Sequence, residues 1–166
     1  MKEGVVLIGM PGVGKSTVGV LLAKRLGLDF LDSDVYIQSL EGRQLREIIQ
    51  QESHAGFCRI EERHVLSLSP LGCVIATGGS VIYSEGAMEH LRSGGRIVHL
   101  DLAPDLLHQR LENMDARGVV RAPGQTVADL YRERNPLYRR YEEIRIDCGA
   151  MTPDAVVAAI VGQLPT

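Results

Sequence analysis

The chain has 166 residues, of which 45% are hydrophobic and 23% are charged, and its formal net charge is −3. This size and composition predict one globular domain, and the slight negative charge argues against a protein that binds nucleic acid through a basic face. The sequence has no apolar stretch near the ~20 residues that cross a bilayer, and its three widely spaced cysteines predict reduced thiols. We therefore expect a cytoplasmic protein that has neither nucleic acid nor a membrane as its partner.

Predicted strands and helices alternate along the chain. Short apolar runs predict five strands, at residues 5–8, 29–32, 73–76, 96–100 and 144–147. Helices are predicted at 18–26, from a switch near 33–34, at 44–68 with a break near 53–56, and at 85–92, 104–113, 127–143 and beyond 153. This alternation predicts an α/β fold with a parallel sheet that is covered on both faces and binds ligands at the carboxyl ends of its strands.

The segment between the first strand and the first helix, GMPGVGKST at residues 9–17, fits the phosphate-binding pattern G-x-x-x-x-G-K-[ST]. Its glycines let backbone N–H groups turn toward phosphate oxygens, and the helix N-terminus adds orphan donors and a partial positive charge. Lys15 is placed to reach the β- and γ-phosphates, and the Ser16 hydroxyl is placed to bind Mg²⁺. The other nucleotide contacts expected here are Gly12, Val13, Gly14 and Thr17. The sequence therefore predicts a protein that binds a nucleoside triphosphate.

Two more turns follow predicted strands, at residues 32–34 and 77–80, so all three turns should converge on one cleft. Asp32 and Asp34 suit a kinase, since one could hold Mg²⁺ through water while the other could orient an attacking hydroxyl and accept its proton. A surface turn with a helix-capping aspartate is the alternative. Gly78 and Gly79 would admit a ligand close to the backbone, although a plain turn would look the same.

Residues 114–125, MDARGVVRAPGQ, carry two arginines among glycines and a proline without periodicity. They predict a mobile loop that folds over ATP and neutralises charge on the transferring phosphoryl group, with a solvated loop as the alternative. We do not assign a metal to Asp101, because an aspartate at a strand end is common. The five histidines have no paired metal spacing, and the absence of an N-K-x-D motif weighs against a GTPase.

Taken together, these residues resemble the shikimate kinase family over nearly the whole chain. The matching segments are GMPGVGKS at 9–16, DSD at 32–34, FCRIE at 57–61, TGGS at 77–80 and ERNPLY at 133–138. The resemblance implies one P-loop domain over 1–166, a three-layer α/β/α fold with a five-stranded parallel sheet. It also implies an acceptor-binding region at about 33–61 and a lid at about 112–125. The implied reaction transfers the ATP γ-phosphoryl group to a hydroxyl of a small carboxylate, most directly shikimate, in a monomer.

The resemblance implies a role for each matching residue. Lys15 and Ser16 hold the phosphates and the metal, Asp32 supports the metal, and Arg110 lies along the adenine. The lid arginine matches Arg117, although the family usually has proline where this chain has Gly118, and Arg121 competes for the role. The implied acceptor contacts are Asp34 at the hydroxyl, Glu61 organising the pocket, Arg134 at the carboxylate, and Phe57, Arg59, Gly78, Gly79 and Ser80 around them.

Two positions depart from the family pattern. The family motif is F-R-x-x-E, and its arginine grips the shikimate carboxylate, whereas this chain has Cys58 there. Arg59 is adjacent but should point about 100° away on a helix. The family's triple glycine is Gly78-Gly79-Ser80 in this chain, and the Ser80 side chain should narrow the acceptor space. A kinase for another small acceptor, such as homoserine or a sugar acid, therefore stays open, as does a nucleotide-binding regulator that hydrolyses slowly.

Overall fold

Five parallel strands form the centre of the computed structural model, which describes residues 3–111 and 118–165. The strands are β1 (Gly4–Ile8), β2 (Asp29–Asp32), β3 (Cys73–Ala76), β4 (Gly95–Asp101) and β5 (Ile144–Asp147). Their order across the sheet is β2-β3-β1-β4-β5, and every neighbouring pair is parallel. The predicted five-stranded parallel sheet is confirmed, although β4 is one residue longer at each end than expected.

Helices follow the strands in the predicted alternation. They are α1 (Lys15–Leu26), α2 (Ser33–Glu41), α3 (Leu45–Leu66), α4 (Glu85–Arg92), α5 (Pro104–Arg110), α6 (Val127–Tyr141) and α7 (Pro153–Gln163). A single 3₁₀ turn, Val81–Tyr83, precedes α4. None of the described helices combines the length and the apolar character that crossing a membrane requires.

The core lies between the sheet and the helices that cover it. β1 and β3 are buried along their whole length, as expected for central strands of a parallel sheet that is covered on both faces. α1 buries Val18 and Leu22 and packs against α7, while α3 packs against α4. Each fully buried aliphatic side chain stabilises the fold by about 1.5–3 kcal/mol, so the apolar runs hold the strand ends in place.

Glu41, at the end of α2, ties this helix to α3. Its carboxylate accepts hydrogen bonds from Arg43 at 2.9 Å and Arg63 at 2.8 Å, and its Oε1 lies 2.7 Å from His64 Nε2. The hydrogen bond with His64, followed by that from Arg43, lowers the pKa of Glu41 to about 2. This cluster holds together the helical region that follows β2.

α3 is kinked at Ser53, within the predicted break. Ser53 has φ 65° and ψ 171°, and no other non-glycine residue in 3–111 or 118–165 has a positive φ. A side chain at these angles is strained, because this region is open essentially to glycine alone. The kink sets the direction of the second half of α3, which carries Phe57 and Glu61.

We expect Ser53→Gly to raise the free energy of unfolding by about 1 kcal/mol, because glycine relieves this strain. A small opposing loss comes from the Ser53 hydroxyl, which accepts a hydrogen bond from the Gly56 N–H at 3.3 Å. Urea denaturation measures the change. Ser93→Gly is the matched control, since Ser93 has φ −62° and glycine relieves nothing there. Equal shifts in the two variants would show that Ser53 is not strained.

Candidate active site

The turns after β1, β2 and β3 meet in one cavity of about 660 Å³. A cavity of this size accommodates a nucleotide together with a small second substrate. The predicted site residues that line it are Gly12, Gly14, Lys15, Ser16, Thr17, Asp32, Asp34, Phe57, Gly78, Gly79, Ser80, Arg110 and Arg134. The expected convergence of the three turns is therefore present in the structure.

The loop between β1 and α1 has the backbone that a phosphate cradle requires. Gly12 and Gly14 have φ 79° and 106°, a region where side chains are strained, and Gly14 precedes the first turn of α1. The Lys15 ammonium is buried and donates to the carbonyls of Gly9 at 2.7 Å and Met10 at 2.9 Å. Burial lowers the pKa of Lys15 to about 8, although the nearby Asp34 carboxylate opposes this shift.

Arg110, at the end of α5, lies over the same loop. Its Nη1 donates to the Val13 carbonyl at 3.2 Å, while the rest of this long side chain is exposed at the cavity. The Val13 side chain itself is buried in the core and does not line the cavity. Arg110 therefore borders the cavity beside the phosphate loop, and Val13 contributes there through its backbone carbonyl.

Asp32 caps a helix with one carboxylate oxygen, which was one of the predicted alternatives, and its other oxygen faces the phosphate loop. One carboxylate oxygen caps α2 by accepting from the backbone N–H groups of Asp34 at 2.9 Å and Val35 at 3.2 Å. The other oxygen accepts a hydrogen bond from the Ser16 hydroxyl. A hydroxyl and a carboxylate side by side are oxygen ligands of the kind that Mg²⁺ prefers. The donor set therefore fits Mg²⁺ beside the phosphate loop.

The carboxyl groups of half-buried Asp34 and buried Glu61 face each other across Gly78. A side-chain carbon on Gly78 would lie 2.6 Å from Asp34 Oδ1 and 2.7 Å from Glu61 Oε1, so only glycine leaves room for both. Neither oxygen has a hydrogen-bond partner among the described residues. Burial raises the pKa of Asp34 to about 6 and that of Glu61 to about 8. Unpaired buried oxygens of this kind are expected to bind a ligand's hydroxyl groups.

The Ser80 side chain is turned toward Glu61. Its hydroxyl donates to Glu61 Oε2 at 2.6 Å, which satisfies the second oxygen of that carboxyl group. Ser80 is buried and also borders a neighbouring cavity of about 90 Å³, the side cavity, which Cys58, Arg59 and Glu61 line as well. Neither Cys58 nor Arg59 lines the main cavity. The structure therefore places predicted contact Arg59 on the side cavity, and Glu61 behind Gly78.

Arg134 is buried in the opposite wall of the main cavity. Its Nη2 donates to the Val120 carbonyl, and its Nε lies 3.3 Å from the Tyr83 hydroxyl. Its Nη1 lies over Gly79, where a side-chain carbon would come within 2.8 Å. A buried guanidinium without a carboxylate partner in the described residues is suited to an anionic ligand group, because it presents donors in a fixed plane.

Two further predictions concern the lid arginine and Asp101. The proposed lid arginine, Arg117, lies outside the described residues. The competing Arg121 donates to the Gln125 carbonyl at 2.8 Å, within its own loop. Asp101, to which we assigned no metal, binds Arg145 at 2.6 Å and accepts from Tyr131 at 3.0 Å, and it does not line the cavity.

Sequence reasoning missed several residues of the site. Ser33 is buried, and its hydroxyl accepts from the Gly78 N–H at 3.0 Å, which joins the second turn to the third. Tyr138 donates from its hydroxyl to the Gly79 carbonyl. The other cavity residues that were not named as contacts are Pro11 and Thr77 in the predicted turns, Gly118, Val119 and Val120 in the predicted loop, and Leu45. The position of Ser33 between Asp32 and Asp34 was one available signal, as was that of Tyr138 within ERNPLY.

Comparison with known proteins agrees with this geometry. The family model described as shikimate kinase matches residues 11–165. The chain belongs to the shikimate kinase family. A shikimate kinase from Mycobacterium avium is 39% identical over 170 aligned positions, covering 99% of this chain and 95% of that one. A shikimate kinase from Thiobacillus denitrificans is 34% identical, covering 98% of this chain and 91% of that one.

Solved shikimate kinase structures have the same fold. The shikimate kinase from Acinetobacter baumannii, in complex with shikimate, aligns with TM-score 0.88 and 29% identity, covering 99% of this chain and 97% of that one. The shikimate kinase from Aquifex aeolicus aligns with TM-score 0.81 and 30% identity, covering 95% of this chain and 93% of that one. The predicted P-loop kinase fold is confirmed, and as a member of the shikimate kinase family the chain is a phosphotransferase that acts on a hydroxyl group.

Proposed function

We propose that the protein transfers the γ-phosphoryl group of ATP to a hydroxyl of shikimate, giving shikimate 3-phosphate and ADP. The observation that carries the proposal is the meeting of three features in one cavity: the Lys15 phosphate loop, the unpaired carboxyl oxygen of Asp34 and the buried Arg134. Phosphoryl transfer depends mainly on positioning and on charge neutralisation, and these groups supply both. The proposed enzyme is a cytoplasmic monomer that needs neither nucleic acid nor a membrane.

The residues have separate tasks in this reaction. The backbone of residues 12–17 and the Lys15 ammonium hold the β- and γ-phosphates. Ser16 and Asp32 would hold Mg²⁺, which neutralises phosphate charge when bound. Asp34 Oδ1 orients the acceptor hydroxyl and takes its proton as the oxygen attacks the γ-phosphorus and the bond to ADP breaks. Because the pKa of Asp34 is about 6, the carboxylate is mostly ionised at neutral pH and can accept this proton.

A smaller acceptor that carries an ammonium group, such as homoserine, is the second candidate. It is favoured by Cys58, which stands where the family pattern has the arginine that grips the shikimate carboxylate, and which lies on the side cavity. Arg134 would then bind the single carboxylate, and no second guanidinium would repel the ammonium. A sugar acid fits the same hydroxyl-binding pair, Asp34 and Glu61.

A panel of hydroxylated acceptors tests the proposed function. ATP consumption is coupled to NADH oxidation, and each product is identified by its mass. Shikimate should give the highest kcat/KM, with homoserine and sugar acids as alternatives in the panel. Turnover of ATP that no acceptor stimulates would favour a nucleotide-binding regulator. A larger kcat/KM with another acceptor would replace shikimate in the proposal. Size-exclusion chromatography with light scattering checks the monomer.

We expect Cys58→Arg to lower the KM for shikimate by about ten- to a hundredfold, since one charged hydrogen bond contributes about 1.5–3 kcal/mol. Ser80 is kept in this variant, because removing its hydroxyl would leave Glu61 Oε2 without its donor. Steady-state kinetics with shikimate and with ATP measure the effect. The control is Arg59→Cys, which changes the neighbouring residue of the side cavity. An unchanged KM in Cys58→Arg would mean that the departure at position 58 is neutral.

The lid arginine can be assigned by comparing two variants. We expect Arg117→Ala to lower kcat at least tenfold and Arg121→Ala to lower it less, because Arg121 is bonded within its own loop. Single-turnover kinetics separate transfer from product release. If Arg121→Ala has the larger effect, the assignment must be reversed, and two small effects would leave this loop without a catalytic arginine.

A further inference from the structure

His99 lies on β4, beneath α6, and is 1% exposed. Its Nδ1 lies 2.6 Å from a carboxylate oxygen of Glu142, the residue that directly follows α6 and caps it. Its ring stacks on that of Tyr138, with the centroids 5.1 Å apart and the planes 29° from parallel. His99 thus contacts the last turn of α6 at two points, through a hydrogen bond and through a stacked ring.

Tyr138 connects this contact to the acceptor side of the cavity. It is fully buried, and its hydroxyl donates to the Gly79 carbonyl at 2.5 Å. Arg134 lies one turn earlier on α6, on the same face, and its Nη1 also lies against Gly79. A shift of the Tyr138 ring would therefore move both the backbone of Gly79 and the guanidinium of Arg134.

We propose that His99 is a positioning residue for the acceptor site: by stacking on Tyr138 and binding Glu142, it fixes the places of Gly79 and Arg134. Its side chain does not line the main cavity, and its backbone pairs with Ile8, the residue before the phosphate loop, in a strand contact that a side-chain substitution leaves in place. Its loss should therefore weaken acceptor binding while ATP binding is unchanged. This inference rests on the proposed function, because it takes the Arg134 wall to be the acceptor-binding wall.

Charged groups surround His99 and affect its protonation state. The groups that face His99 are Glu142 and Tyr138 from α6, Asp101 from its own strand and Arg145 from β5. Burial lowers the pKa of His99 below its ordinary value of 6.5, although the two carboxylates oppose the shift. His99 is therefore neutral at neutral pH and donates its Nδ1 proton to Glu142.

The lowered pKa of His99 determines how its contribution to stability changes with pH. The unfolded chain binds this proton more readily than the folded one. The contribution of neutral His99 to the free energy of unfolding is therefore complete above about pH 6.5 and declines as the pH falls below that value. Protonation in the folded protein, at a pH below 6.5, would put a charge on the ring that stacks on Tyr138. Acceptor affinity should change as the pH falls through the folded-state pKa of His99, because protonation alters the contacts of the ring with Tyr138 and Glu142.

The test compares His99→Ala with His99→Phe, which keeps the stacked ring but neither titrates nor binds Glu142. We expect His99→Ala to raise the KM for shikimate about tenfold, with kcat and the KM for ATP within twofold of the parent. The KM of His99→Phe for shikimate should stay within threefold of the parent. Its dissociation constant for shikimate, measured by calorimetry from pH 5 to 7.5, should lack the part of the pH dependence that comes from His99. His90→Ala is the control, because His90 binds the Leu68 carbonyl away from the cavity.

Hydrogen exchange supplies a readout that needs no acceptor. His99→Ala should speed exchange of the Val81 and Tyr83 amides, which bond to Gly78 and Ser80, whereas His90→Ala and His99→Phe should not. Shikimate turnover with unchanged exchange and unchanged shikimate KM in His99→Ala would overturn the inference. Equal increases in the KM for shikimate and for ATP would also overturn it, because they indicate general loosening. Faster exchange in a protein that phosphorylates no shikimate would support positioning by His99 and refute the proposed function.

Discussion

Replacing Lys15 with alanine is expected to lower kcat/KM by about a thousandfold, which corresponds to about 4 kcal/mol in the transition state. Lys15 is buried at the start of α1, and its ammonium already lies beside the loop that would hold the phosphates. A preorganised charge of this kind does not have to move when negative charge shifts during phosphoryl transfer. A cation from solvent would first have to be ordered in the site, so it does not replace Lys15.

The fold should survive this substitution. Burial of the Lys15 ammonium is unfavourable by itself, as its lowered pKa shows, so alanine removes an unfavourable desolvation along with two hydrogen bonds. Thermal unfolding should stay within a few degrees of the parent. Lys24→Ala is the control, since Lys24 is exposed in the last turn of the same helix. Activity of Lys15→Ala within tenfold of the parent would refute the assignment of the phosphate loop.

Asp34→Asn is expected to lower kcat by about a hundred- to ten-thousandfold, the range that a positioned general base contributes. The substitution keeps the shape of the side chain and removes the proton acceptor at the oxygen that faces Gly78. ATP affinity, measured by calorimetry with Mg²⁺, should stay within threefold, because Asp32 and Ser16 carry the metal in the proposed mechanism.

Asp29→Asn serves as the control for Asp34→Asn, since Asp29 is exposed at the start of β2 and does not line the cavity. Asp32→Asn makes the opposite prediction, a loss of Mg²⁺-dependent ATP affinity, because it removes a carboxylate from the Ser16 hydroxyl. If Asp34→Asn weakens ATP binding and Asp32→Asn spares it, the roles of the two aspartates must be exchanged.

Much of the fold could be predicted because its signals are local. The residues of β1 and β3 are apolar without interruption, since both faces of the sheet are covered, and the glycine loop follows β1 directly. The cleft could also be predicted, because the carboxyl ends of parallel strands lie at one edge of a sheet. These inferences need only the order of residues along the chain.

The inner surface of the acceptor site could not be predicted in this way. The break near Ser53 was predicted, but the direction of the chain after it, which brings Glu61 to Gly78, was not, because a serine gives no signal of a positive φ. The position of Ser80 is a similar case. Its hydroxyl is paired with Glu61, a contact that spans 19 positions, whereas the sequence indicated only a side chain that narrows the cavity.

His99 is a third residue whose role could not be predicted from the sequence. Its residue type and its place in a strand are typical of a packing residue, and nothing nearby in the sequence distinguishes it. Its contacts with Tyr138 and Glu142 lie about forty positions away and exist only because α6 crosses β4. A residue that acts through another side chain leaves no pattern that spacing can detect.

The order of strands in the sheet has a consequence for how this enzyme can change its substrate. The phosphate loop follows central β1, whereas Asp34 and Glu61 belong to segments that follow β2, at the edge of the sheet. Both departures from the family pattern, Cys58 and Ser80, lie beside Glu61, on the side that the proposed mechanism assigns to the acceptor, and GMPGVGKS is untouched. Acceptor preference can therefore change through substitutions at residues that the proposed mechanism places away from the nucleotide. A new substrate can then be acquired while phosphoryl transfer is retained at every stage.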